Sequence, residues 1–273
     1  MRASLALACL MVMSSCGRSE PARSAALEPD PANVVPESDE TAESRGPVAH
    51  RASPGIEVEG EVGGLNQEAV DKAVSSAERD VDRCWEQGVA RNELVAGTIQ
   101  LVLGIGRDGR ASYGFVQQST LGEGTMQRCM LGALSARAFP KPVGGKVGVV
   151  RTSFSFDLAK DTRAPTNWAS TQASSVLASA ADEITACKRG TSGSFTATVY
   201  VKQVELPPPE ADAGDAGEDV ADAGPTFAGA AISVGIAAPD ERASAAVECL
   251  ERVLSGAVYP PPGSWPAKLT FTL

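Results

Sequence analysis

An internal repeat constrains this 273-residue chain more than any other feature of its sequence. At a constant offset of 120 residues, Cys129 and Phe139-Pro140 reappear as Cys249 and Tyr259-Pro260. Both copies therefore read cysteine, nine residues, aromatic residue, proline. A repeat of this kind indicates one folding unit used twice. We predict two small domains, at residues 63–158 and 173–273, joined by a linker at residues 159–172.

The first copy has the periodicity of a small α+β domain. Apolar residues recur at helical spacing from Val70 to Trp85, which predicts a helix over about 66–88. Alternation over 99–105, a turn at Asp108-Gly109 and a return segment over 111–118 predict a β-hairpin. A second helix over about 123–137 and a final strand ending at Leu158 complete the order. This order, which is helix, strand, strand, helix, strand, predicts helices packed on a three-stranded antiparallel sheet.

The second copy follows the same order with a weaker pattern. A helical stripe from Val176 to Cys187 precedes strands expected over 195–201, 232–236 and 268–273. The copies differ at the hairpin, where the second carries an acidic insertion at 205–224 with seven acidic residues and no basic ones. This run matches no Ca²⁺-loop spacing, so a solvated hairpin tip is the favoured interpretation. Trp85 is expected in the core, whereas Trp168 lies in the predicted linker and is left open.

The N-terminus has the pattern of an export signal. Arg2 precedes an uncharged apolar run over residues 3–13, about 16 Å long as a helix and too short for a hydrocarbon core of about 30 Å. The run ends in MSSCG, which resembles the lipobox of bacterial lipoproteins. The resemblance implies a signal peptide at residues 1–15, acylation of Cys16, and, through Gly17, delivery towards the outer membrane. The alternative is an ordinary signal cleaved elsewhere, which leaves a soluble periplasmic protein.

The net charge of −10 lies mainly in the segments expected to connect folded units. Residues 18–61 carry ten acidic and four basic side chains among many Pro, Ser and Ala residues, so we predict a disordered tether at 16–62. With the acidic insertion also set aside, the predicted domains are near neutral. A concentrated basic face is missing, which argues against nucleic acid as a partner.

Four cysteines remain after Cys9 and Cys16 are assigned to the signal and the lipid. In each copy one cysteine lies late on the first apolar helix stripe and the other midway along the second. We predict the disulfides Cys84–Cys129 and Cys187–Cys249, the first worth roughly 3–4 kcal/mol by loop closure. Free buried thiols are the alternative, and a zinc site is less favoured because no C-x-x-C pair or domain histidine accompanies them.

The motifs of the first copy resemble a known family. The segment at 97–110, GTIQLVLGIGRDGR, resembles the hairpin of TonB C-terminal-like domains, and STLG at 119–122 with FPKP at 139–142 resembles the helix segment of that family. Gly63-Gly64-Leu65 with a cysteine on each helix is most similar to the AgmX/PglI C-terminal domain. This resemblance implies a TonB-like fold without known catalytic residues. Residues 173–273 look like a degenerate second copy.

The resemblance also implies how such a domain binds. TonB-like domains add a partner peptide to a sheet edge, which here is the last strand of the first copy, over residues 147–158. The candidate edge residues are Val147, Val149, Arg151, Thr152 and Ser153. We expect a non-catalytic, lipid-anchored adaptor for envelope or motility proteins, with no cofactor, metal or small-molecule substrate. Energy transduction is not expected, because TonB needs a retained transmembrane helix for it.

Two other classes of function stay open. A structural lipoprotein that self-associates or binds peptidoglycan fits the same features. An enzyme is the remote alternative, because the single histidine, His50, lies in the predicted tether, where nothing holds it for acid–base work. The glycines at 104, 106 and 109 resemble a dinucleotide loop, but they fall inside the predicted hairpin and not between a strand and a helix.

Overall fold

The computed structural model describes residues 56–57, 64–207 and 226–273, all within one compact unit, Arg45–Leu273. The first copy and the strand before it contain β1 (Ile56–Glu57), α1 (Gln67–Arg91), β2 (Gly97–Ile105), β3 (Ala111–Ser119), α2 (Gly124–Ser135) and β4 (Gly148–Phe156). The linker and the second copy contain β5 (Thr166–Trp168), α3 (Ser174–Ser179), α4 (Ala181–Cys187), β6 (Thr196–Glu205), β7 (Phe227–Ala237), α5 (Val247–Gly256), β8 (Val258–Tyr259) and β9 (Ala267–Thr272). The α+β class predicted from the sequence is confirmed.

Helix α1 forms where a capping residue precedes the apolar stripe. The Asn66 side chain accepts a hydrogen bond from the Ala69 N–H at 2.9 Å, which satisfies one of the free donors of the first turn. Val70, Val74 and Val81 are fully buried on the face that meets the sheet. The helix runs three residues beyond the predicted end.

The first sheet has the order β1-β4-β2-β3, and every pair in it is antiparallel. β2 is the central long strand and pairs with β4 from Gly97↔Phe156 to Ile105↔Gly148. The predicted three-stranded sheet is present, and β1 extends it by a two-residue strand. The core lies between this sheet and its helices, where Trp85 is 1% exposed and stacks on Phe156 with ring centroids 5.8 Å apart.

The second sheet has the order β5-β9-β6-β7-β8, with β5 parallel to β9 and the other pairs antiparallel. The stripe ending at Cys187 predicts a single helix, and this prediction is wrong in one respect. The chain forms two short helices, α3 and α4, separated at Ala180, whose φ of −100° and ψ of 11° depart from helical values. The region predicted as a linker contains β5, and Trp168 within it packs against the core of the second copy.

Strand β6 is buried on both faces. Ala197, Val199 and Val201 face the helices of the second copy, as the alternation predicts. Thr198 and Tyr200 point the opposite way, yet both are 0% exposed. Tyr200 belongs to the hydrophobic core of the first copy. The two copies therefore share buried surface within one compact unit.

Candidate functional site

The outer edge of β4 is the site that the sequence analysis selects for partner binding. On its inner side, all nine residues of β4 pair with β2. On its outer side, the register pairs Thr152 with Ile56 and Arg151 with Glu57 of β1. The described part of the chain thus supplies a strand at two of the nine positions of the candidate edge.

The five predicted edge residues do not share one face. Val149, Arg151 and Ser153 are partly exposed on the face of β4 that points away from the core. Thr152 is 0% exposed and faces the core, where its Oγ1 has no hydrogen-bond partner. Val147 lies just before the strand and is 38% exposed. Because successive strand residues alternate between faces, a bound strand would meet the side chains of Val149, Arg151 and Ser153, and only the backbone of Thr152.

The corresponding edge in the second copy is also partly covered. β5 runs parallel to β9 in the register Thr166↔Ala267 to Trp168↔Leu269, which covers three of the six residues of β9. The Thr166 N–H donates to the Pro266 carbonyl at 3.0 Å. Neither covering strand is among those predicted from the sequence. A signal existed for β1, since Ile56 and Val58 alternate with Glu57 and Glu59.

Two disulfides hold the helices of each copy over its sheet. Cys84 on α1 bonds to Cys129 on α2 with a Cα–Cα distance of 5.7 Å, and Cys187 on α4 bonds to Cys249 at 5.6 Å. These are the pairs that the apolar stripes predict, and both Cα–Cα distances lie in the range that unstrained disulfides span. Each covalent link fixes the helix pair that backs its sheet.

The two copies meet where the loops of the first contact the sheet of the second. The Tyr200 hydroxyl accepts from the Ala96 N–H at 3.3 Å and donates to the Ala96 carbonyl at 3.4 Å. Gly122 has a φ of +69°, and a Cβ there would lie 2.8 Å from the Tyr200 ring. Asn92 donates to the Ser233 hydroxyl at 2.8 Å. This packing holds the two candidate edges within one body.

A polar network at the start of α2 supports the interface. Glu123 caps α2 by accepting from the Met126 N–H, and it accepts from the Nε and Nη2 of Arg91 at 3.2 and 2.9 Å. The hydrogen bond that Arg91 donates to Glu123 raises the pKa of Arg91. Gln127, buried on α2, donates to the Ser119 hydroxyl at 2.8 Å. Each buried polar group in this network has a partner, as burial demands.

A lysine lies partly buried in the same interface. Lys268 on β9 donates to the Ala96 carbonyl at 2.7 Å, and its Nζ lies 5.4 Å from the centre of the Tyr200 ring. Burial lowers the pKa of Lys268 to about 8, because a charged ammonium loses hydration there. Burial also raises the pKa of Tyr200 to about 12, by the same loss of hydration for the phenolate.

A cleft of about 310 Å³ lies between α2 and α5. Its floor includes Phe115, Val116 and Ile236, and its rim carries the ion pair between Arg128 and Glu251. The Glu251 side chain is only 12% exposed, and its burial raises its pKa although Arg128 opposes that effect. The cleft is suited to an apolar group, and the rim offers it no free cation.

Several residues that the sequence singles out for a possible chemical role lie outside the sheets and helices described above. Cys16, His50 and most of the acidic insertion fall outside the described residues. Within residues 64–207 and 226–273, no group of three His, Cys, Asp or Glu side chains is placed to hold a metal ion. In the same part of the chain, no helix has the length and hydropathy that crossing a membrane requires.

Comparisons with protein-family models, curated proteins and solved structures find no match to this chain. The resemblance to the AgmX/PglI C-terminal domain therefore stays a prediction from the motif residues.

Proposed function

We propose that this protein is a non-catalytic, lipid-anchored adaptor of the bacterial cell envelope, which binds other envelope proteins through the outer edge of β4. The observation that carries the proposal is the edge itself. β4 spans nine residues, and among the described residues of the chain β1 pairs with two of them on the outer side. Strand addition obtains its affinity from backbone hydrogen bonds, so it needs no special side-chain constellation.

The proposed family is the tandem TonB C-terminal-like type, with the first copy closest to the AgmX/PglI C-terminal domain. The order helix, strand, strand, helix, strand in the first copy supports this assignment, and the second copy keeps that order of long elements with its first helix split into α3 and α4 and the two-residue strand β8 before β9. The antiparallel pairing of the last strand with the first strand of each hairpin also supports it. In this arrangement the last strand lies outermost among the three long strands, where a partner can reach it.

The proposed location is the cell envelope, with Cys16 acylated and the outer membrane as the favoured site. Two disulfides support an oxidising compartment, since structural disulfides persist mainly outside the cytosol. Palmitate labelling of wild type and Cys16→Ala, followed by membrane fractionation, tests the anchor. We expect the variant to lose the label and leave the membrane fraction. Equal labelling of both proteins would refute the anchor.

Site-specific crosslinking tests the binding edge. A photocrosslinking residue at Ser153, on the exposed side of β4, is compared in cells with one at Gln118, exposed on β3. We expect a discrete envelope-protein adduct from position 153 and none from 118. The adduct should disappear in Val149→Pro, which prevents extension of the ladder, and persist in Val149→Thr, which keeps strand propensity. Adducts of equal yield at both positions would refute the edge.

Self-association is the second candidate, because β9 also has an outer edge that β5 covers at only three of six residues. Two copies could pair along such edges. The solution mass of the mature protein distinguishes the adaptor function from self-association. A monomer at micromolar concentration supports the adaptor, whereas a stable dimer lost in an edge-proline variant supports self-association.

A further inference from the structure

In both copies, the segment just before the first helix covers the outer edge of the last strand. β1 precedes α1 and pairs with β4, and β5 precedes α3 and pairs with β9. The two pairings run in opposite directions, antiparallel in the first and parallel in the second. The same edge is therefore covered in both copies, although the strand geometry differs.

The two covers differ in strength. β5 is held by three register pairs, and Trp168 at its end packs against the core of the second copy. Among the residues that the structure describes, β1 is held by two register pairs. A two-residue strand makes few backbone hydrogen bonds, each worth only about 0.5–1.5 kcal/mol net. The cover on β9 is therefore expected to stay in place, whereas the cover on β4 can be displaced.

We propose that β1 is a built-in occupant of the partner-binding edge, which a partner strand must displace. This inference depends on the proposed function of β4. The link from Glu57 to the α1 cap at Asn66 spans only residues 58–65, so β1 stays at high effective concentration near the edge. A partner strand displaces β1 because it can pair along more of the nine residues of β4 than β1 does.

The register of β1 also indicates which residue types a partner strand would place opposite β4. It sets Glu57 directly opposite Arg151 and Ile56 opposite Thr152. Arg151 is partly exposed on the outward face of β4, so an acidic side chain that an added strand places directly opposite it would be favourable. The partner that fits is an extended segment that runs antiparallel to β4 and places an acidic residue opposite Arg151. The chain's own alternation of apolar and acidic residues over 56–59 is an example of such a segment.

Hydrogen exchange on the full-length protein tests the occupancy. The variant Ile56→Pro/Glu57→Pro removes both backbone donors of β1, and Ile56→Val/Glu57→Gln is the matched control that keeps them. We expect the proline variant to exchange amides in the β4 segment about tenfold faster, the factor that one or two lost backbone hydrogen bonds produce. The control should match wild type. Equal exchange in the proline variant and wild type would overturn the proposal.

Peptide binding gives a second readout. The probe is a labelled synthetic peptide of residues 54–61, PGIEVEGE, with a scrambled peptide as its control. An occupied edge lowers apparent affinity by the fraction of molecules in which it is open. We expect the probe to bind the proline variant about tenfold more tightly than wild type, and Arg151→Glu in that variant to reverse the gain. Equal affinity for both proteins would overturn the proposal.

The outcomes separate this inference from the proposed function. If exchange and peptide binding change as expected but position 153 gives no adduct in cells, β1 occupies the edge and the adaptor function fails. If position 153 gives its adduct and the proline variant changes neither exchange nor peptide affinity, the adaptor stands and the built-in occupant is refuted.

Discussion

Replacing Tyr200 by alanine tests the shared core of the two copies. Tyr200 lies on β6 of the second copy, is 0% exposed, and is part of the core of the first copy. Its hydroxyl contacts both backbone polar groups of Ala96. The substitution removes the ring from the interface while leaving the strand pairing of β6 in place.

The expected cost follows from burial and the lost hydrogen bonds. Truncating a fully buried aromatic side chain to alanine costs about 3–5 kcal/mol. Because the hydroxyl distances to Ala96 are long and Lys268 also donates to that carbonyl, the hydrogen-bond share is at the low end, about 0.5 kcal/mol. The sum is about 4.5 kcal/mol. With a urea m-value of about 2 kcal/mol/M, the unfolding midpoint falls by about 2 M.

Urea unfolding with disulfides intact measures this cost by two probes. Circular dichroism follows the whole chain, and fluorescence of Trp85 follows the first copy in a background where Trp168 and Trp265 are Phe. One shared core predicts coincident transitions, and both should shift in Tyr200→Ala. A second variant, Tyr259→Ala, lies inside the second copy, where the hydroxyl donates to the Leu254 carbonyl at 2.8 Å. It should shift the Trp85 transition as well. A Trp85 midpoint that neither substitution moves would refute the reasoning.

Three further results are expected. Gly122→Ala should destabilise the protein by about 1–3 kcal/mol in urea unfolding, because the φ of Gly122 is +69° and a Cβ there would meet the second sheet. The control Gly132→Ala on α2 has open space around it and should stabilise the protein slightly. The double variant Cys84→Ser/Cys129→Ser should lose about 4 kcal/mol in thermal unfolding, the value for a 45-residue loop, and an unchanged midpoint would refute it. The free energy of unfolding of the wild type should rise between about pH 8 and 10.5, because the pKa of Lys268 is about 8 in the folded protein and the unfolded chain binds the proton more tightly in that window. Lys268→Met should remove about 1–2 kcal/mol of this rise. Parallel pH profiles of the two proteins would contradict the prediction.

Much of the local structure could be predicted because it depends on spacing within short segments. The stripe from Val70 to Trp85 predicts α1, and the alternation with Asp108-Gly109 predicts the hairpin of β2 and β3. The cysteine positions on the helix stripes predict the two pairs found in the structure. The break at Ala180 could not be predicted, because an alanine there satisfies the helical pattern.

The candidate site was predicted only in part, for a physical reason. The last strand of the first copy follows from alternation, so β4 could be named as an edge. Its cover by β1 depends on pairing between Ile56 and Thr152, which are 96 positions apart in the chain. The alternation over residues 56–59 is a signal for a strand, but it is too short to specify one by itself, and a neighbouring backbone decides whether the strand forms.

The sequence by itself determined the repeat, the α+β class, the order of the long elements and the positions of the cysteines, because periodicity and composition act locally along the chain. The tertiary structure decided which edges are covered and how the copies meet. Thr198 and Tyr200 show the difference, since their alternation indicates an outward face, and the packing of the first copy buries both. Burial of an outward face depends on what lies against it, which no local pattern contains.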